Sequence, residues 1–145
     1  MKFKSKYLKT KIMKRRFKNS KVFTNIKSVG DDGLLELKNG GYASLIELKA
    51  VDLSSLDTSN VTNMSQMFYN CQSLESIDLS SFNTQNLTNM NQMFSGCYSI
   101  KSINLDGFDT SKVTNMSNLF RDCYELIEID LSSFDMSLVT SKNLF

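Results

Sequence analysis

A repeat with a period of 26 residues dominates this 145-residue sequence from residue 45 onward. Equivalent positions hold the same residue type in three successive copies: Cys71, Cys97 and Cys123; Ile77, Ile103 and Ile129; Phe82, Phe108 and Phe134. The register defines unit 1 (45–70), unit 2 (71–96), unit 3 (97–122) and a shortened unit 4 (123–145). Because a unit of this length cannot bury its own apolar side chains, consecutive units are expected to stack and cover one another.

Each unit has two halves with different apolar spacing. In the first half, Ile77 and Leu79 are two residues apart and flank Asp78, which predicts a strand with Asp78 facing outward. The second half has apolar residues at a three-to-four spacing, which predicts a short helix. In unit 1 these residues are Val61, Met64, Met67 and Phe68. We therefore predict an α/β repeat, with one strand of a parallel sheet and one short helix per unit.

Turn signals precede the repeats. Asp31-Asp32-Gly33 and Asn39-Gly40-Gly41 flank a short apolar stretch, and Asn-Gly pairs are typical of tight hairpin turns. Residues 22–48 are therefore predicted to form an antiparallel β-hairpin cap on the repeats. Its strands are expected near residues 22–29, 34–38 and 42–48.

Charge divides the chain into two parts. Residues 1–21, the basic arm, carry ten Lys/Arg and no Asp/Glu, whereas residues 22–145 carry seven Lys/Arg against fifteen Asp/Glu. Apolar residues interleave with the cations of the arm, a pattern that suits an anionic membrane surface. The candidate contact residues for membrane or nucleic acid are Lys14, Arg15, Arg16 and Lys18. A solvated terminus and binding to the acidic body are open alternatives, and nucleic acid is not the expected partner.

The repeat motif carries a family resemblance. The stretch LESIDLSSFNTQNLTNMNQMFSGC and its neighbouring copies resemble the leucine-rich repeats of BspA-type bacterial surface proteins over about residues 48–145. The resemblance implies a leucine-rich-repeat solenoid over residues 45–145. It also implies a function in adhesion or protein binding at a cell surface, with a host or bacterial surface protein as partner.

A second resemblance lies near the start of the repeats. The stretch GLLELKNGGYASLIELKAVDLS is similar to the opening β-element of the ATPases that power conjugative type IV secretion. The sequence contains no G-x-x-x-x-G-K-[ST] phosphate loop, so no ATPase activity carries over. The alternative function that we consider is a peripheral membrane component, held on anionic lipid by the basic arm and linked to a secretion or conjugation apparatus.

Two sets of repeat positions are candidate partner-binding residues. Asp52, Asp78, Asn104 and Asp130 fall on the outward side of the predicted strands. Such a polar ladder could attract a cation or a basic partner, or could be a solvated face screened by salt. Tyr98 and Tyr124 share the position after the repeated cysteine, where exposed tyrosines can anchor a partner or cover their own unit.

Catalysis is not expected from this composition. The sequence has no His, and its Asp, Glu, Lys, Tyr and Cys are spread by repetition rather than gathered around one point. We therefore predict no enzymatic activity, no cofactor and no metal site. The three repeated cysteines would stack at about the 4.8 Å strand separation, so buried thiols are expected, with a disulfide or a bound metal as alternatives.

Two expectations concern location and assembly. No segment has the pattern of a secretory signal or of a membrane-spanning helix. The resemblance implies the cell surface, whereas the chain would be expected in the cytoplasm if it is complete as given. Unit 4 is expected to leave Leu131, Phe134, Val139, Leu144 and Phe145 uncovered, so either the natural chain continues or this end meets another molecule or self-associates.

Overall fold

The computed structural model of the chain describes residues 22–23, 26–29, 35–37, 49–54 and 56–145. The strands in this part are β1 (Val22–Phe23), β2 (Ile26–Val29), β3 (Leu35–Leu37), β4 (Ala50–Val51), β5 (Ser76–Asp78) and β6 (Ser102–Asn104). They form three two-stranded sheets: β1 with β4 in parallel, β2 with β3 antiparallel, and β5 with β6 in parallel.

The predicted α/β leucine-rich-repeat solenoid is wrong, because the described residues contain no helix and only these short strands. The second half of each unit is a run of overlapping turns. From unit 1 into the start of unit 2, the N–H groups of Met67, Tyr69 and Cys71 each donate to the carbonyl oxygen three residues earlier. Gln66 and Asn70 both have a φ of 58°. A right-handed helix cannot contain such residues, since its φ lies near −60°.

The predicted helix does not form because the remaining backbone N–H groups donate to a neighbouring unit. Alternate N–H groups of unit 1, those of Met64, Gln66, Phe68 and Asn70, donate to carbonyl oxygens of unit 2 at 2.8–2.9 Å. Unit 2 repeats the pattern toward unit 3. Backbone N–H groups that would donate within a helix therefore donate to the next unit instead. The apolar side chains are buried because the turns of successive units stack on one another.

The 26-residue register appears directly in the backbone pairing. Ile77 lies opposite Ile103 in the β5–β6 pair. Isolated bridges connect Asn63 with Asn89, Asn89 with Asn115, and Asn115 with Ser141. Ile129 is half-buried but belongs to no strand, so the predicted strand of unit 4 does not form.

Like side chains form columns through the core. Phe68, Phe94 and Phe120 are all buried, and their rings stack at centroid distances of 5.4 and 5.8 Å. A second column stacks Phe82 on Phe108 at 6.4 Å. Offset stacking of aromatic rings adds to the stabilisation that comes from burying their area.

Unit 4 lacks one residue of the repeat, and its last residues compensate for the gap. Phe120 N–H donates to the carbonyl oxygen of Leu144, one residue earlier than the register of units 1 and 2 would place the acceptor. The ring of Phe145 packs on Phe120 at 5.6 Å, tilted by 35°. The phenylalanine column therefore extends into unit 4 with a poorer fit.

The segment before the repeats contains an antiparallel pair, β2 with β3, which has an irregular register between Ile26 and Ser28. This pairing agrees with the hairpin predicted there, whereas β1 pairs in parallel with β4 of unit 1. The third strand predicted near 42–48 and the basic arm (1–21) lie outside the described residues. The boundaries of the arm, the cap and the repeats stay predictions.

Gly96 lies where units 1 and 2 are in close contact. Its φ is +78°, and a Cβ atom added there would overlap Oδ1 of Asn70 in the unit below. We expect Gly96→Ala to lower the free energy of unfolding by about 2 kcal/mol, combining backbone strain with the clash. Gly107→Ala is the matched control, because Gly107 has a φ of +79° and open space around it. Urea unfolding should show a smaller loss for Gly107→Ala; equal losses would mean that the contact with Asn70 contributes nothing.

Candidate partner-binding surfaces

The outward Asp/Asn positions form turns within each unit. The side-chain oxygens of Asp52, Asp78, Asn104 and Asp130 each accept the N–H of the residue two positions later, at 2.8–3.0 Å. Asp and Asn are favoured in such turns because their short side chains reach the backbone two residues on. These residues therefore have a structural function that the sequence analysis did not predict. Binding of a partner by the same positions stays a prediction.

The same turn geometry recurs at a second position of each unit. Oδ1 of Asp57, Asn83, Asp109 and Asp135 accepts the N–H two residues later in the same way. The acceptor at Asp57 closes a turn at the start of the second half of unit 1, where a helix was predicted.

These hydrogen bonds lower the pKa of six exposed carboxyl groups. The main donor is the hydroxyl group two residues later for Asp52, Asp57, Asp109 and Asp135, and the backbone N–H for Asp78 and Asp130. Hydrogen bonds to a carboxylate favour its charged form, so the folded chain holds these groups ionised below their ordinary pKa of 3.8.

Acid should therefore destabilise the fold. Because the six pKa values are lower in the folded chain, their contribution is fully present above the unfolded value and is lost as the pH falls through the folded values. We expect the urea midpoint to fall as the pH drops below about 4.

Asp78→Asn with Asp130→Asn should leave the urea midpoint at pH 7 nearly unchanged and make its acid dependence shallower, because an amide oxygen accepts the same bond without titrating. Asn83 and Asn104 already do this at equivalent positions. An unchanged acid dependence in the double variant would contradict the assignment.

Tyrosine side chains stand exposed where one unit turns into the next. Tyr98 and Tyr124 stack at a centroid distance of 5.5 Å with their planes 20° apart. Tyr98 is 39% exposed and Tyr124 is 74% exposed. Tyr69, on the turn preceding this position in unit 1, is also exposed. The structure therefore brings together the two tyrosines chosen from the sequence and leaves one face of Tyr124 open to solvent.

Tyr124 is held in place by its neighbours. Its hydroxyl group donates to Oδ1 of Asp122 at 3.1 Å, and Nε of Arg121 lies 3.6 Å from Oδ2 of the same carboxylate. The hydrogen bond to Asp122, together with its charge, raises the pKa of Tyr124. The Tyr124 hydroxyl group is thus hydrogen-bonded within its own chain.

Ile127 is an exposed apolar residue that the sequence analysis missed. It is 82% exposed, the highest among the large hydrophobic residues of the described part. The equivalent positions in earlier units hold Lys49, Glu75 and Lys101, and Lys49 lies 3.7 Å from Glu75. The sequence did contain a signal for this residue, because Ile127 is apolar whereas the equivalent residues of the other units are charged. We call Tyr98, Tyr124 and Ile127 the apolar corner.

The stretch of chain that carries Tyr124 and Ile127 is acidic, whereas Lys101 precedes Ile127 in its repeat column. Residues 121–135 contain five carboxylates and one cation. The carboxylates are Asp122, Glu125, Glu128, Asp130 and Asp135, and the cation is Arg121. A partner that fits this surface would carry apolar side chains flanked by positive charge.

The repeated cysteines are thiols placed in the core. Cys71 and Cys97 are buried and Cys123 is partly exposed. The Cys97 and Cys123 thiols donate to carbonyl oxygens of Phe68 and Phe94, each at 3.2 Å. Burial raises the pKa of Cys123 to about 12. The prediction of a buried thiol is confirmed for Cys71 and Cys97, whereas Cys123 is only partly buried.

The surface depression, the search for metal clusters and membrane-spanning helices, and the basic arm give no further candidate site. A shallow open depression of about 270 Å³ lies between units 1 and 2, with Asp52 and Asp78 on its rim. Among the described residues, no cluster of His, Cys, Asp or Glu is arranged to hold a metal ion. In that same part of the chain, no helix is long and apolar enough to cross a membrane. Lys14, Arg15, Arg16 and Lys18 lie outside it.

These observations define a class of protein: stacked 26-residue units joined by backbone hydrogen bonds, with an exposed apolar corner. The chain matches the family described as "Mycoplasma protein of unknown function, DUF285" over residues 40–145, which include all four units. It therefore belongs to this family. No curated protein and no solved structure matches the chain. The resemblance to BspA-type surface proteins stays a prediction.

Proposed function

We propose that this protein is a non-enzymatic module that binds another protein through its apolar corner, as a component of a bacterial surface. The observation that carries the proposal is the stacked, exposed pair Tyr98 and Tyr124. Tyrosine is enriched among the residues that dominate protein interfaces, because its large ring is ordered on binding at small entropic cost. Stacking and the bond to Asp122 order the Tyr124 ring in advance.

The geometry favours the corner over the Asp/Asn ladder as the contact surface. The oxygens of Asp52, Asp78, Asn104 and Asp130 already accept backbone N–H groups, and the three carboxylates are exposed to water. Polar groups of this kind contribute little net affinity, whereas exposed aromatic and aliphatic groups gain from leaving water. Membership in the DUF285 family is compatible with a bacterial surface repeat protein, and the resemblance to BspA-type repeats supports adhesion as the biological setting.

The test uses the full chain as bait for surface proteins labelled on intact bacterial and host cells. We expect a retained protein whose affinity falls about tenfold or more in Tyr98→Ser with Tyr124→Ser. The matched control is Asp78→Asn with Asp130→Asn, which alters exposed repeat positions while keeping their backbone bonds. Retention of nothing at micromolar bait, or equal retention by the tyrosine variant, would overturn the proposal.

A second candidate function rests on the charge of the basic arm. Ten Lys/Arg without an acid in residues 1–21, interleaved with apolar residues, match the composition of segments that lie on anionic membranes. The resemblance near the start of the repeats to conjugative secretion ATPases would place such a component beside a secretion apparatus. Co-sedimentation with phosphatidylserine vesicles should be strong and should be lost when Lys14, Arg15, Arg16 and Lys18 are all changed to Gln. Equal sedimentation with neutral vesicles would exclude it.

A further inference from the structure

Unit 4 leaves partly exposed the five apolar positions that units 2 and 3 bury. In unit 3 the buried residues are Cys97, Ile100, Ile103, Leu105 and Phe108, and their equivalents in unit 2 are buried as well. The equivalents in unit 4 pack on the core but are only partly buried: Cys123, Leu126, Ile129, Leu131 and Phe134. A following unit covers units 2 and 3, whereas no described residue covers the side of unit 4 that faces away from unit 3. We call this side the outer side of unit 4.

The side chain that links each unit to the next is replaced in unit 4. The buried hydroxyl groups of Thr58 and Thr110 each bridge the backbone N–H and carbonyl oxygen of a residue in the following unit. The hydroxyl group of Thr84 accepts the N–H at the same position. The equivalent residue of unit 4 is Met136, which has no hydroxyl group. A contact on the outer side of unit 4 is therefore apolar at the position where the other units use a hydrogen-bonded bridge.

A second replacement in unit 4 has the same direction. Leu138 is 52% exposed. It takes the place of polar residues in the other units, which are Asn60, Asn86 and Lys112. Because Met136 and Leu138 are two residues apart, unit 4 gains two apolar side chains at the border of its outer side. This gain adds apolar surface next to residues that are already only partly covered.

The backbone of unit 4 also has hydrogen-bonding groups available on this side. Residues 128–130 make no backbone hydrogen bond with any other described residue. The equivalent residues of unit 3 are β6, which pairs in register with β5. A row of N–H and C=O groups without backbone partners can pair with the same row of another chain.

The arrangement of the strands at unit 1 decides which surface of a second copy can meet unit 4. Strand β1 pairs with β4, so the strand side of unit 1 is already covered. Head-to-tail stacking of copies is therefore blocked on that side. A two-fold contact instead brings the same surface together twice, so an apolar side meets an apolar side. Such a contact continues between two chains the burial that units 3 and 4 achieve within one chain.

We propose that two copies of this chain associate through the outer sides of unit 4 around a two-fold axis. The contact covers Leu131, Phe134, Met136 and Leu138, and residues 128–130 of the two copies pair antiparallel. Unit 4 has four carboxylates and one lysine, a net charge of 1 − 4 = −3, so the two surfaces repel each other and salt stabilises the dimer. This association does not require the protein-binding function proposed for the apolar corner.

Sedimentation equilibrium of the full chain measures the association directly. We expect the mass to rise from 16.5 kDa to twice that value, and no further, as the concentration increases from about 1 to about 100 µM. The dissociation constant should fall about threefold or more when salt is raised from about 50 to about 500 mM, because the repulsion is screened. Association through the basic arm on acidic surfaces would weaken with salt instead, and that result would overturn the proposal.

The decisive variant gives unit 4 the residue types of units 1 and 2. Met136→Thr with Leu138→Asn should raise the dissociation constant about tenfold or more, since two apolar groups are lost from each copy. Leu138→Asn alone changes an exposed side chain, keeps the fold, and should raise the constant about threefold. Tyr69→Ser is the matched control, because Tyr69 is 44% exposed but lies in unit 1. Its dissociation constant should equal that of the wild type.

Three further results would overturn the inference. These are a monomer mass at every concentration, a mass that grows beyond the dimer, and unchanged association in both Leu138 variants when circular dichroism shows the wild-type fold. A mass beyond the dimer would indicate head-to-tail stacking. Capture of a surface protein through Tyr98 and Tyr124 is measured separately, so either proposal can fail without the other.

Discussion

Replacing Phe94 by Ala should lower the free energy of unfolding by about 4 kcal/mol, a large fraction of the stability of a chain this size. Phe94 is fully buried at the centre of a column, with Phe68 at 5.4 Å and Phe120 at 5.8 Å. Its removal leaves a cavity between two units and ends two ring contacts at once. Urea unfolding followed by circular dichroism measures the loss.

Phe145→Ala is the control for the phenylalanine column. Phe145 packs on Phe120 from one side only and is 65% exposed, so its truncation should cost less than half as much as Phe94→Ala. Phe94→Leu, which keeps most of the volume, should fall between the two. If Phe94→Ala costs no more than Phe145→Ala, the column is not a continuous source of stability.

Thr58→Val should lower the free energy of unfolding by about 2 kcal/mol, although the two side chains have nearly the same shape. The Thr58 hydroxyl is buried, donates to the Asn83 carbonyl oxygen at 3.1 Å and accepts the Asn83 N–H at 2.8 Å. Valine therefore removes the partner of two backbone groups of Asn83, at a part-buried contact between units. Thr110 makes the same pair of bonds with Asp135.

Thr88→Val provides the matched comparison. The Thr88 hydroxyl also reaches across units, to the Thr62 carbonyl oxygen at 2.9 Å, but Thr88 is exposed and that oxygen also accepts its N–H. Water can replace the lost hydroxyl, so the expected cost is below about 0.5 kcal/mol. Similar urea midpoints for Thr58→Val and Thr88→Val would show that the buried bridge contributes nothing.

The candidate site was predictable in part. Tyr98 and Tyr124, which follow two of the three repeated cysteines, were candidates from the sequence, and the structure stacks them with both exposed. Ile127 was missed because a single exposed isoleucine is common on protein surfaces. It stands out only when it is compared with the charged residues at the equivalent positions of the other units. The structural role of Asp52 and Asp78 was also missed. The prediction that these side chains face outward does not reveal that each accepts a hydrogen bond from a backbone N–H group.

The sequence by itself determined the register and the contents of the core. A period of 26 residues decides which side chains lie above one another, and apolar positions such as Cys97, Ile103 and Phe108 are buried as expected. Burial follows from hydrophobicity and repetition. Both can be read from the amino-acid sequence without knowing where any backbone group is hydrogen-bonded.

Only the tertiary structure decided the conformation of the second half of each unit. The spacing of Met64, Met67 and Phe68 suits a helical face, but a run of turns with positive φ at Gln66 and Asn70 buries the same residues. The choice depends on whether the N–H groups bond within the unit or to the next one. That neighbour is 25 residues away in the sequence, and its carbonyl oxygens come within reach only when the units stack.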